Sequence, residues 1–127
     1  MIDYKIGNKT LHLALTGDGY FDIQDLTDDV GELFGLLSKN TREAYSLTCA
    51  CAAILAKGGE LQRRAIGLDP EPILTEGAIR VLVKPVQIVD LRAAVLEAVL
   101  DGMRREIKGE EAPRDLVLEE LEGKKKS

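Results

Sequence analysis

The segment from Val86 to Ile107 carries more apolar residues than one helix face can hold, and this limits the folds open to the chain. On a helical wheel, Ile88, Val89, Leu91, Ala93, Val95, Leu96, Ala98, Val99, Leu100, Met103 and Ile107 sweep an arc of roughly 220°, interrupted by Arg92 and Glu106. Asp90, Ala94, Glu97, Asp101 and Lys108 are left as a narrow polar stripe. A helix lying only on its own domain needs an apolar stripe of about 100°. The surplus predicts contact with two bodies, the core and a partner, and therefore a binding protein rather than an enzyme.

A chain of 127 residues fits one domain, and 45% hydrophobic residues against 31% charged suffice for a core. With no Trp, two Phe and three Tyr, that core is expected to be aliphatic and helix-friendly. A net charge of −5 argues against broad phosphate-backbone binding, so no nucleic-acid partner is expected. The only basic cluster, Lys124 to Lys126, is a terminal run. Met1-Ile2-Asp3-Tyr4-Lys5 does not read as a signal sequence, and no apolar run approaches about 18 residues, which predicts a cytosolic protein without a membrane partner. Cys49 and Cys51, two positions apart on a helix, point to different faces and are expected to be buried thiols.

The pattern predicts an α+β fold, mainly an α-helical bundle of about four helices with an N-terminal β-hairpin. Ile2, Tyr4 and Ile6 alternate with polar residues, Gly7-Asn8-Lys9 offers a turn, and Leu11, Leu13 and Leu15 resume the alternation, giving a hairpin over 2–15. His12 alternates with the leucines and is expected to face solvent. Ile23, Leu26, Val30, Leu33, Phe34 and Leu37 predict a helix over about 22–38, its start equally compatible with Asp22 or a point after Thr27. Asn40 with Glu43 forms a capping box for a helix over 41–57, stopped by Gly58-Gly59. Its many small residues, among them Ala44, Cys49, Ala52 and Ala56, mark it as the central helix.

Glu60 to Leu74, broken by Pro70 and Pro72, reads as an exposed loop. Thr75 caps a short helix over 75–83, although Ile79, Val81 and Val83 also suit a strand. Pro85 suits a first helical position after Lys84, opening a long helix over 85–108 that Gly109 ends. A single domain thus spans 1–109, and 110–127 is a charged tail with an apolar island at Leu116, Val117, Leu118 and Leu121.

No catalytic constellation emerges. Asp18-Gly19-Tyr20-Phe21-Asp22 imitates half of a calcium-binding EF-hand loop, but Ala14 and Thr16 stand where the first side-chain ligands belong and Asp25 replaces the bidentate glutamate. A degenerate, calcium-responsive binding protein is therefore an alternative reading, as is a small operon-encoded regulatory protein. Asp28, Asp29 and Glu32 read as a solvated helix start, and Arg63-Arg64 and Arg104-Arg105 as surface charge pairs. Gly17-Asp18-Gly19 and Gly58-Gly59 lack the Lys and Ser/Thr context of phosphate loops. No metal or cofactor is expected.

The order of parts, together with Tyr4-Lys5-Ile6-Gly7-Asn8-Lys9, the run from Val86 to Met103 closing in Gly102-Met103-Arg104-Arg105-Glu106, and Asp115-Leu116-Val117-Leu118-Glu119-Glu120-Leu121-Glu122-Gly123-Lys124-Lys125-Lys126, resembles the tail assembly chaperones of long-tailed bacteriophages and prophages. The Thr16-Gly17-Asp18-Gly19 entry and the cysteines of the central helix depart from that pattern. The resemblance implies a non-enzymatic factor, working in the host bacterial cytoplasm and absent from the mature virion. It implies that the chain solubilises the apolar tape measure protein and helps recruit tail tube subunits. Self-association through the surplus apolar face is expected when no partner is present, since exposed apolar area is seldom left bare. In many such proteins a ribosomal frameshift near the gene's end yields a longer form, and codons for Lys124-Lys125-Lys126 could supply a slippery stretch. The expected binding face is Val89, Leu96, Leu100 and Met103, assisted by Leu33, Phe34 and Leu37.

Overall fold

The computed structural model describes residues 1–104. Strands β1 (Ile2–Ile6) and β2 (Lys9–Leu13) pair antiparallel with Tyr4 opposite Leu11 and Asp3 opposite His12. Gly7 adopts φ 60°, the positive value that a primed hairpin turn needs at its first central position. The alternation buries Ile6, Leu11 and Leu13 against the helices. Five α-helices follow among the described residues, so the fold is α+β and mainly helical, as the residue pattern predicts.

Helix α1 spans Gly17–Thr27, starting five residues before the expected Asp22 because Thr16 is the cap: its Oγ1 accepts the Gly19 amide at 2.9 Å. The helix ends at Asp28, which takes the left-handed conformation at φ 67°. Asp29 then caps a 3-10 turn over Val30–Glu32 that runs into α2 (Leu33–Leu37). The single helix expected over 22–38 is therefore two, divided at Asp28-Asp29, where two adjacent aspartates offer capping oxygens that compete with helix continuation. The EF-hand alternative fails here as well, since its irregular liganding loop would occupy residues that form α1.

Helix α3 (Arg42–Ala65) is capped by Thr41, not Asn40, and passes through Gly58-Gly59 instead of ending there. The reason lies in the neighbouring strand. An added Cβ on Gly59 would collide with the His12 carbonyl oxygen, and one on Gly58 would stand 2.7 Å from the Ala14 carbonyl oxygen. These glycines are contact points at which β2 and its extension lie directly on the helix backbone. Helix α3 packs against β2, α1, α2, the short helix α4 (Glu76–Leu82) and the last helix, and so is central as expected. Both cysteines are buried free thiols within it.

Thr75 caps α4, resolving Ile79 and Val81 in favour of helix, while Val83 is the extended residue that ends it. Tyr45 of α3 donates its hydroxyl to the Arg80 carbonyl at 3.2 Å, and the Arg80 guanidinium stacks over the Tyr45 ring. Pro85–Gln87 forms a 3-10 turn leading into α5 (Ile88–Met103), which ends at the extended Arg104. The long helix expected over 85–108 is therefore shorter at both ends. Its expected stop at Gly109 and the tail 110–127 lie outside the described residues. Helix α5 buries Leu91, Ala94, Val95, Ala98 and Val99 against α3, the hairpin and α2. Ala94, assigned by its wheel position to the polar stripe, thus joins the core. No described helix is long and apolar enough to cross a membrane.

Candidate functional site

Helix α2 and the 3-10 turn before it lean on α5 without closing against it. Between them lies an apolar groove of about 240 Å³, lined by Val30, Gly31, Leu33, Phe34, Leu96, Val99, Leu100 and Met103. The buried side chains of Val30, Leu33 and Val99 make its floor, while Phe34 (69% exposed), Leu100 (64%) and Met103 (53%) stand at its rim. Each rim side chain, left more than half in water, forgoes roughly 1–2 kcal/mol that full burial would return. The local sequence explains the opening: the break at Asp28-Asp29 sets the Val30–Leu37 segment at a new angle, and α2 is too short to cover α5.

The groove brings together five of the seven residues expected at a binding face. Leu96, Leu100 and Met103 line it from α5, Phe34 from α2, and Leu33 as part of its floor. Leu37 is a correction: it is fully buried in the core and offers no surface, because it falls one turn after buried Leu33 on the face of α2 that packs into the core. Leu33 is likewise almost wholly buried, so it shapes the groove from beneath instead of presenting a side chain. Val89 is 59% exposed but does not line the groove, lying two turns upstream on the same stripe. Val30, Gly31 and Val99 complete the lining without having been assigned to the face; only the chain break that positions Val30 could have marked it.

Among the described residues, His12, Glu60 and Glu71 form the one cluster of metal-ligating type, with ligand atoms within 4.8 Å of one another. Its hydrogen bonds assign it a different role. Glu60, buried at the end of α3, accepts from the Glu71 amide at 2.7 Å, from Arg63 at 2.7 Å and from Arg64 at 2.9 Å. Arg63 also reaches Glu71 at 3.4 Å. A dication there would displace or face two guanidiniums, so the arrangement is a structural clasp. His12, expected at the solvent, is instead its outer member, contacting Asp3 at 2.9 Å and Glu71 at 2.8 Å. Arg63 and Arg64 are correspondingly not idle surface charges, and the region expected as a loop from Glu60 is helical to Ala65.

The Glu71 amide, with Arg63 and Arg64, holds the Glu60 carboxyl down to about 2 against the opposing effect of burial. Burial alone would lower the His12 pKa, but hydrogen bonds to Asp3 and Glu71 outweigh it and the imidazole is raised.

A second depression of about 390 Å³ is lined by Thr16, Gly17, Asp18, Gly19, Ile54, Lys57, Gly58 and Leu61. Asp18 places a negative charge at this helix start, and Thr16 already caps α1, so the region does not act as a phosphate cradle. Comparisons with protein-family models, with curated proteins and with solved structures gave no match.

Proposed function

We propose that this chain is a phage tail assembly chaperone, a non-enzymatic protein that keeps the tape measure protein soluble and helps bring tail tube subunits to it. The observation that carries this reading is the uncovered apolar groove between α2 and α5. A tape measure offers long helical, apolar surface, and a groove walled by a helix on each side accepts the apolar stripe of another helix. Flexible Met103 at one end of the rim suits a surface that must meet many similar but unequal segments. The resemblance of residue pattern to tail assembly chaperones supplies the identity of the partner, and the groove supplies a place to bind it.

Co-expression with the tape measure protein of the same genome tests the reading. The full chain is expected to co-purify with it and to raise its soluble yield, and Phe34→Asp with Leu100→Asp is expected to abolish both while leaving helicity unchanged, since both side chains are already exposed. Undiminished co-purification of a folded double variant would remove the groove from the mechanism. Absence of co-purification by the unaltered chain would remove the chaperone reading itself.

A further inference from the structure

The charges around the groove specify more about its occupant than its apolar lining does. From Gly17 to Ser38 the chain contains six acidic residues and no lysine or arginine. Three of these, Asp28, Asp29 and Glu32, flank the lining residues Val30, Gly31 and Leu33 on one side. Glu97 adjoins Leu96 on the other side, and all four are exposed. Among the described residues none of the four enters an ion pair.

Two described cations on and just after α5 are already engaged. Arg92 donates to the Leu37 carbonyl at 3.0 Å, closing the end of α2, and Arg104 pairs with Asp101 at 3.3 Å. Among the described residues the groove is thus an apolar trough flanked by acidic residues that no ion pair neutralises. Asp28 shows that this charge is held against local preference. It sits in the left-handed conformation at the C-terminal end of α1, where glycine or asparagine is favoured and a negative charge is repelled by the helix dipole.

We infer that the groove selects a cationic amphipathic helix: a partner segment whose apolar stripe enters the trough and whose flanking lysines or arginines meet Asp28, Asp29, Glu32 and Glu97. The inference rests on the chaperone reading only for the identity of the protein that carries such a segment. Charge also discriminates against other occupants. A second copy docked by the same face would oppose two acidic rims. The chain's own apolar island at Leu116 to Leu121 is interleaved with Asp115, Glu119, Glu120 and Glu122 and is repelled in the same way.

The test uses the full chain and three synthetic helical peptides of about 20 residues, sharing one leucine stripe and carrying lysine, glutamine or glutamate on the polar face. The lysine peptide is expected to bind on the order of tenfold more tightly than the glutamine peptide in low salt and to lose that advantage in high salt. The glutamate peptide is expected to bind most weakly. Asp28→Asn with Asp29→Asn and Glu32→Gln should erase the lysine preference without removing apolar binding, and Leu100→Asp should weaken all three peptides.

Equal affinity for the three peptides, or no binding of any, would overturn the inference while leaving tape measure co-purification to decide the chaperone reading. Lysine-peptide binding unaffected by Leu100→Asp would place the site elsewhere. Dimers lost on Leu100→Asp would make a second copy the occupant, and tighter peptide binding after deletion of residues 110–127 would make it the chain's own tail; either result overturns the inference.

Discussion

The backbone amide of Ala14 donates to the carbonyl of Leu55 at 3.1 Å, tying the exit of the hairpin to the middle of α3. A helix carbonyl can take such an extra donor only where no side chain keeps the strand away. One turn further along, Gly58 and Gly59 provide that access.

Gly59→Ala is therefore expected to destabilise the fold, although alanine is the better helix former by about 1 kcal/mol. Its methyl would have to displace the His12 backbone, and strain of this kind costs roughly 1–3 kcal/mol. Gly35→Ala is the control, since nothing lies within 4 Å of a Cβ there; it should stabilise by about 0.5–1 kcal/mol. Urea denaturation of the two variants checks the opposite signs. A Gly59→Ala protein as stable as the parent would mean that the strand and α3 are not in direct backbone contact.

The clasp joining Asp3, His12, Glu71, Glu60 and the two arginines should give the stability a particular pH profile. His12 is raised above 6.5 in the folded chain, so its contribution is complete below that value and is lost as pH rises through the higher folded value. Glu60 is lowered from 4.5 to about 2, so its contribution is present above 4.5 and is lost as pH falls through about 2. Thermal unfolding of the parent and of His12→Gln should therefore differ most near pH 5.5 and converge in alkaline buffer. Glu60→Gln should be deficient at neutral pH and approach the parent in strong acid. Flat differences across these ranges would show that the contacts do not carry the coupling.

Burial pushes the Cys51 thiol up to about 12 and raises that of Cys49, so neither presents appreciable thiolate at neutral pH. A thiol-specific reagent at pH 8 should label both residues only at the rate of unfolding and at once in denaturant. Rapid stoichiometric labelling of the native chain would show that α3 is accessible, contrary to its central position.

The hairpin, the central helix, α4 and most of the groove wall could be read from the sequence because each depends on local periodicity or a local cap. What escaped reading depends on partners distant along the chain. Gly58-Gly59 resembles a helix stop unless the strand lying on it is known, and a helix cap at Thr41 is hard to separate from one at Asn40. Glu60 belongs to a polar stretch by its neighbours, yet Arg63, Arg64 and the Glu71 amide draw it inside. Leu33 and Leu37, four residues apart, take the core face of α2, while Phe34, about 100° round the helix from Leu33, is left at the surface. The apolar surplus of α5 was legible from its width alone, since Leu100 and Met103 remain exposed at the helix end.

Asp28 separates stability from recognition and so offers a direct test of why the break carries these residues. In the left-handed region, with its amide bonded to the Gln24 carbonyl at 2.8 Å, the residue terminates α1 in a conformation that asparagine adopts equally well. Asp28→Asn keeps that geometry and removes a negative charge from the negative end of the helix dipole, which should raise stability by roughly 0.3–1 kcal/mol. Asp28→Gly should also stabilise, by relieving the backbone as well as the charge. Both variants are nonetheless expected to bind the lysine peptide more weakly, because the lost charge belongs to a residue two positions before the groove residue Val30. Denaturation and peptide titration on the same preparations would decide the matter: a less stable Asp28→Asn protein would make the charge a structural requirement, and unchanged affinity would remove Asp28 from the recognition rim.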